Sequence, residues 1–145
     1  MSGRPERLGR SAFRVFCAIP TRWHDNDVYG HVNNVVYYAW FDTAVNGWLI
    51  EQGLLDLSSG SVVGLVVETS CTYFESVSFP EAVEVGLAVE KLGRSSVTYR
   101  IGVFRAGGDL AVAQGRFTHV YVDRSTRKPI AIPDTSRSAM ALIAS

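Results

Sequence analysis

Cysteine is scarce in this chain. The 145 residues include two, Cys17 and Cys71. They form no Cys-x-x-Cys pair, and no Cys/His cluster has zinc-finger spacing. That argues against a disulfide framework and a structural zinc, and both are read as reduced, half-buried thiols. An excess of charge of either sign is also missing: Lys plus Arg and Asp plus Glu each number 14. Nothing in the composition therefore points to a nucleic-acid partner, which favours a basic excess. No apolar run is long enough to span a membrane. Residues 1–7 are polar, without the apolar stretch of a secretory signal. The expectation is a soluble, cytoplasmic protein with neither membrane nor nucleic acid as partner.

What is present is a globular composition, 47% hydrophobic and 19% charged, in a length suited to one domain with a sizeable core. Residues 1–11 read as a flexible N-terminal arm and 12–145 as a single domain. Residues 12–21 are apolar and β-compatible (Phe13, Val15, Phe16, Ile19), a first strand. In residues 34–51, Val35, Tyr38, Phe41 or Asp42, Val45 and Leu49 recur at helical spacing, with Asn33 or Asn34 to cap the start and Gly53 to stop it. This helix is apolar nearly all round, which predicts that the rest of the protein wraps it. Everything after residue 60 reads as strands. Residues 62–74 form a less regular one, Val83, Val85, Leu87 and Val89 alternate with polar or small residues, and so do Val97, Tyr99, Ile101 and Val103. Leu92-Gly93 and Gly107-Gly108 mark turns, the second leading into residues 110–122. The order is strand, long helix, then four strands. It predicts an α+β fold with an antiparallel sheet curled around one central helix.

Chemistry concentrates between His24 and Tyr37. Two carboxylates (Asp25, Asp27), two histidines (His24, His31) and three amides (Asn26, Asn33, Asn34) sit in a turn that feeds a helix N-terminus. Such a terminus offers unpaired N–H groups and partial positive charge, able to hold a carbonyl oxygen as negative charge develops on it. A carboxylate just ahead can attack the carbonyl carbon or activate a water. Gly30 lets the backbone approach a ligand closely. A capping turn with no chemistry has the same composition. A metal held by His24, Asp27 and His31 is a further option, but the spacing matches no standard site and none is expected.

The pattern Asp25-x-Asp27-x-x-Gly30-His31-Val32-Asn33-Asn34-x-x-Tyr37 resembles the signature of hotdog-fold thioesterases, and is similar to the 4-hydroxybenzoyl-CoA and acyl-CoA thioesterase group. The run from His31 to Tyr37 also resembles a segment of plant acyl-ACP thioesterases. The resemblance spans nearly the whole chain and implies a hotdog fold, a curved antiparallel sheet around one long helix. It implies that Asp27 is the catalytic carboxylate, and that the turn from Gly30 to Asn34 polarises the thioester carbonyl through backbone N–H groups, that of Asn34 foremost. His31 aligns with a histidine proposed as catalytic in the plant enzymes, and stands open between that role and a structural one. Tyr29 replaces an Asn of the plant enzymes, so their full catalytic set does not carry over. Asp42 matches an Asp that contacts the ring hydroxyl in 4-hydroxybenzoyl-CoA enzymes, with a structural pairing to Tyr38 or Asn46 as its alternative. Tyr37 is a substrate-side candidate that equally suits the core. Arg94, Ser95 and Ser96 resemble the family's turn beside CoA and suit its phosphates. Asp25, His24 and His119 read as structural.

The expected reaction is hydrolysis of an acyl-CoA or acyl-carrier-protein thioester, with no metal or redox cofactor, in a homodimer or homotetramer. The alternatives are a hotdog hydratase or dehydratase, against which the Asp-x-Asp-x-x-Gly-His arrangement speaks, and a non-enzymatic acyl-CoA binding module, against which Asp27 speaks.

Overall fold

In a computed structural model, which describes residues 5–56 and 60–145, the strand–helix–four-strand order is present. The elements are β1 (Val15–Pro20), α1 (Asn34–Glu51), β2 (Val62–Tyr73), β3 (Ala82–Leu92), β4 (Ser96–Arg105), β5 (Ala113–Asp123) and α2 (Asp134–Leu142). The strands form one antiparallel sheet in the order β1-β3-β4-β5-β2. Hairpins join β3, β4 and β5, and Gly107, at φ 74°, makes the left-handed turn between the last two. β2 returns to pair with β5, leaving β1 and β2 at the edges.

Helix α1 begins where expected, because the Asn33 side chain accepts the Val35 N–H at 3.0 Å and so caps one of the free donors of the first turn. It buries Tyr37, Trp40, Phe41, Ala44, Val45, Trp48 and Leu49 against the alternating apolar positions of the strands, among them Val83, Val85, Leu87, Val97, Tyr99 and Ile101. The wrapping expected from its composition is one-sided. Val35, Asp42, Thr43 and Ile50 remain exposed, since a single curved sheet covers only part of a helix's circumference.

On the opposite face of the sheet, Phe13 packs with Phe104 and Ala111. Of the segment 1–11 expected as a flexible arm, residues 1–4 lie outside the described residues, and Glu6, Leu8 and Arg10 are fastened here. Leu8 N–H donates to Gln114 Oε1 at 2.9 Å, Gln114 Nε2 donates to the Glu6 carbonyl at 2.8 Å, and Arg10 reaches the Gly108 carbonyl at 2.6 Å. These bonds satisfy the buried Gln114 amide, as burial demands.

The sequence reading placed only strands after residue 60, and α2 corrects it. The helix is nine residues long and polar, and buries only Ser136 and Met140. Such a pattern carries little periodic signal. What holds it is tertiary: Arg137 donates to the Gly93 and Arg94 carbonyls at 2.7 and 3.0 Å.

The β2–β5 pairing carries the far side of the domain, and Gly115 is its closest point. A Cβ there would overlap the Ser70 carbonyl oxygen across the strand pair. Gly115→Ala is expected to cost about 1–3 kcal/mol or more through overpacking, read as a lower urea midpoint.

Candidate active site

The site is built by a loop that closes on itself. After β1, a short 3-10 turn (Trp23–Asp25) buries Asp25, which is 1% exposed. Its carboxylate accepts the Arg22 N–H at 2.7 Å and the Arg22 guanidinium at 2.8 and 3.0 Å, while its carbonyl accepts the Asn33 N–H at 2.8 Å. Asp25 is thus fully engaged in structure. The next residues bend back, so that Asn26 bridges to Val32. Asp27 N–H donates to the His31 carbonyl at 2.9 Å, and Gly30 N–H to the Asp27 carbonyl at 3.0 Å. Gly30 adopts φ 81°, a left-handed conformation that residues with a Cβ resist. Asp27 lies at the base of this closed turn, one carboxylate oxygen accepting the Tyr29 N–H at 2.9 Å. Among the described residues no other donor bonds to it.

The loop is braced by the segment after β2. Val32 N–H donates to the Val77 carbonyl at 2.8 Å, Ser78 Oγ to the Gly30 carbonyl at 2.7 Å, and Phe79 N–H to Asn26 Oδ1 at 3.0 Å. Asn26 and Ser78 are functional supports that sequence reasoning missed, since no local pattern announces a contact so distant along the chain. Tyr73 and Glu75 were missed for the same reason.

Asp27, His31 and Asn34 line one cavity of about 500 Å³, walled also by Tyr37, Tyr73 and Glu75. In the first turn of α1, Val35 and Val36 N–H bond to the Asn33 side chain and carbonyl. The Asn34 N–H has no acceptor among the described residues, so the arrangement leaves one donor of the helix terminus free beside a carboxylate. Tyr37 is buried, its ring edge-on to Tyr73 at 5.0 Å. Burial pushes its hydroxyl up to about 12, so it stays protonated. Glu75 pairs with Arg7 at 2.5 Å and Arg105 at 2.8 Å, and these guanidiniums hold its carboxyl below the usual range. An engaged, ionised Glu75 is poorly suited to proton transfer.

The other candidates lie apart. Asp42 is exposed rather than buried, and accepts from Asn46 Nδ2 at 3.3 Å, the pairing foreseen within the helix. It sits eight residues beyond Asn34, about 12 Å along the axis. Arg94 and Ser95 lie in the β3–β4 turn and Ser96 opens β4, while the Asp27 loop lies near the start of β3, about 30 Å away along that strand. Within one chain they do not line the Asp27 cavity. His24 is exposed. Among the described residues no three His, Cys, Asp or Glu side chains converge as metal ligands.

His119 is 3% exposed, ringed by Tyr99, Phe117 and Tyr121, with no partner for Nδ1. Burial lowers its pKa to about 4, against a smaller raising effect of Asp42. The native state therefore leaves His119 largely neutral from pH 6.5 until the pH nears 4, whereas the unfolded state protonates it. By linkage, stability falls as pH drops through that window, by on the order of 2 kcal/mol between pH 7 and 5. Denaturant titrations at both pH values should show this loss in the wild type, and His119→Phe should remove most of it.

With this geometry in view, the likenesses to known proteins are specific. The profile of the thioesterase-like superfamily matches residues 21–140. The PA5185 protein from Pseudomonas aeruginosa strain PAO1 is 54% identical, over 97% of this chain and 98% of that one, with a TM-score of 0.94. The DHNA-CoA thioesterase from Staphylococcus aureus is 26% identical, over 88% and 91%, with a TM-score of 0.77. The 1,4-dihydroxy-2-naphthoyl-CoA thioesterase from Synechocystis, 18% identical over 87% and 94%, shares the fold at a TM-score of 0.80. A comparison with curated protein sequences finds no match. The matched profile covers the Asp27 loop, the central helix and strands β2 to β5, and the chain belongs to the thioesterase-like superfamily, a thioester hydrolase on the hotdog fold.

Proposed function

We propose that this hydrolase acts on acyl-CoA thioesters, with Asp27 as the reacting carboxylate and the Asn34 N–H as the donor that polarises the carbonyl. The observation that carries this reading is that Asn34, whose N–H has no acceptor among the described residues, lines the same cavity as Asp27, whose carboxylate is held by a single backbone bond. Asp27 either takes a proton from the attacking water or attacks the carbonyl carbon itself. In the first case the water oxygen adds to the carbon, and the oxyanion is met by the Asn34 N–H. The C–S bond then breaks and the thiolate leaves with a proton. In the second, an acyl-aspartyl anhydride forms as the thiolate departs, and water cleaves it to the acid. His31 lines the cavity, where its imidazole serves the substrate side.

The CoA reading draws on charge. Arg94, Arg124, Arg127, Lys128 and Arg137 have no ion pair among the described residues, and all belong to the turns and the helix beyond the ends of β3 and β5. Such a group suits a phosphorylated thiol carrier. Its distance from Asp27 is resolved by a homodimer. β2 is an edge strand whose middle exposes Leu65, Val66 and Val67, an arrangement proteins normally cover. A two-fold axis through β2 turns one chain's far end toward its partner's Asp27 loop, bringing Arg94, Ser95 and Ser96 to the neighbouring cavity. Tyr37, and Asp42 farther along α1, would then flank the acyl group.

Thiol release from a panel of acyl-CoAs should show turnover in the wild type that falls a hundredfold or more, on an order-of-magnitude basis, in Asp27→Asn. Activity that survives this change places the chemistry elsewhere. Sedimentation should report a particle of at least twice the 15.9 kDa chain, and a monomer would remove the proposed role of Arg94.

A further inference from the structure

The Tyr73 side chain closes the cavity from the end of β2. Its hydroxyl donates to the carbonyl of Asn34 at 2.9 Å, joining the last residue of the edge strand to the first residue of the helix. Asn34 is also the residue with the free N–H. The Asn34 N–H lies in the planar peptide unit it shares with the Asn33 carbonyl, which the Val36 N–H already holds at 3.0 Å, and the Tyr73 bond fastens the next unit, so that Asn34 is restrained on both sides. The Tyr73 ring is itself held, edge-on to Tyr37 at 5.0 Å and 88°. Tyr37 in turn stacks edge-on with Trp40 at 4.9 Å. Burial, with the Cys71 thiol and the Tyr38 hydroxyl beside it, raises the Tyr73 pKa well above its ordinary value, so the proton it donates stays in place at any working pH.

We propose that Tyr73 is a positioning residue for thioester hydrolysis: its hydroxyl grips Asn34 by the carbonyl and keeps that residue's N–H aimed at the reacting oxygen. The proposal rests on the reading of Asn34 as the carbonyl-polarising donor. Tyr73 transfers no proton and touches no reacting atom. It acts through the backbone of Asn34, and its loss is felt when charge develops on the carbonyl oxygen rather than when substrate binds.

The test is Tyr73→Phe, which keeps the ring and the cavity wall and removes only the hydroxyl. On the best acyl-CoA of the panel, kcat and kcat/KM are expected to fall together by on the order of tenfold, with KM within twofold of wild type. A packing role alone would lower the melting temperature and leave kcat in place, and an unchanged kcat overturns the proposal. A second pair guards against a variant that does not fold. Tyr73→Lys keeps a donor of similar reach and Tyr73→Met does not, so the Lys form should turn over faster than the Met form, and equal rates count against the tie. Asp27→Asn run alongside separates the two readings. Collapse in Asp27→Asn with a silent Tyr73→Phe refutes the tie alone, whereas a fully active Asp27→Asn removes the reaction from this cavity and with it the role given to Asn34.

Discussion

The 2.8 Å hydrogen bond from the Val32 N–H to the Val77 carbonyl is the constraint on which the site depends. It joins the loop that carries Asp27 to the segment that follows β2, and neither piece is positioned by its own sequence alone. On one side, Val32 is the last residue before the Asn33 cap, so fixing it fixes where α1 begins. On the other, Val77 is 1% exposed, anchored in the core beside the strand that ends at Tyr73. The bonds from Ser78 to Gly30 and from Phe79 to Asn26 repeat the same attachment on either side of the turn. A buried backbone group left without a partner is costly, so these contacts specify the approach of the two segments as well as stabilise it.

The same contacts explain what could be read from the sequence and what could not. Helix α1 was legible because its apolar residues repeat at helical spacing and Asn33 announces its start. β3 and β4 were legible through strict alternation. Asp27, Gly30 and Asn34 were legible because the carboxylate, the turn and the helix terminus are neighbours along the chain. The presence of Asp27 and Asn34 on one cavity is a local consequence of a local motif, strengthened by a resemblance. Tyr73, Ser78 and Asn26 were not legible, since each acts on a residue brought near only by the sheet. α2 escaped because a nine-residue polar helix held by Arg137 and Met140 has almost no periodic signature. Arg94 was recognised as a turn residue, but its remoteness from Asp27 follows from strand length and topology, which no motif encodes.

Charge and burial divide the carboxylates near the site by role. Asp25 is buried and saturated with donors from Arg22, and Glu75 is fastened between two guanidiniums. Asp27 alone among these three meets the cavity with a single backbone bond. A reactive carboxylate needs some freedom from partners, whereas a structural one needs none, and this difference in hydrogen bonding is what supports the proposed role of Asp27.

The Asp27 loop closes through its own backbone: the Asn26–Val32 bridge and the bonds among Asp27, Gly30 and His31. Its two tip residues, Val28 and Tyr29, are 93% and 83% exposed and contribute no side chain to that closure. The loop is therefore modular. Substitutions at the tip thus change what borders the cavity without removing a side chain from the contacts that hold the proposed reacting carboxylate.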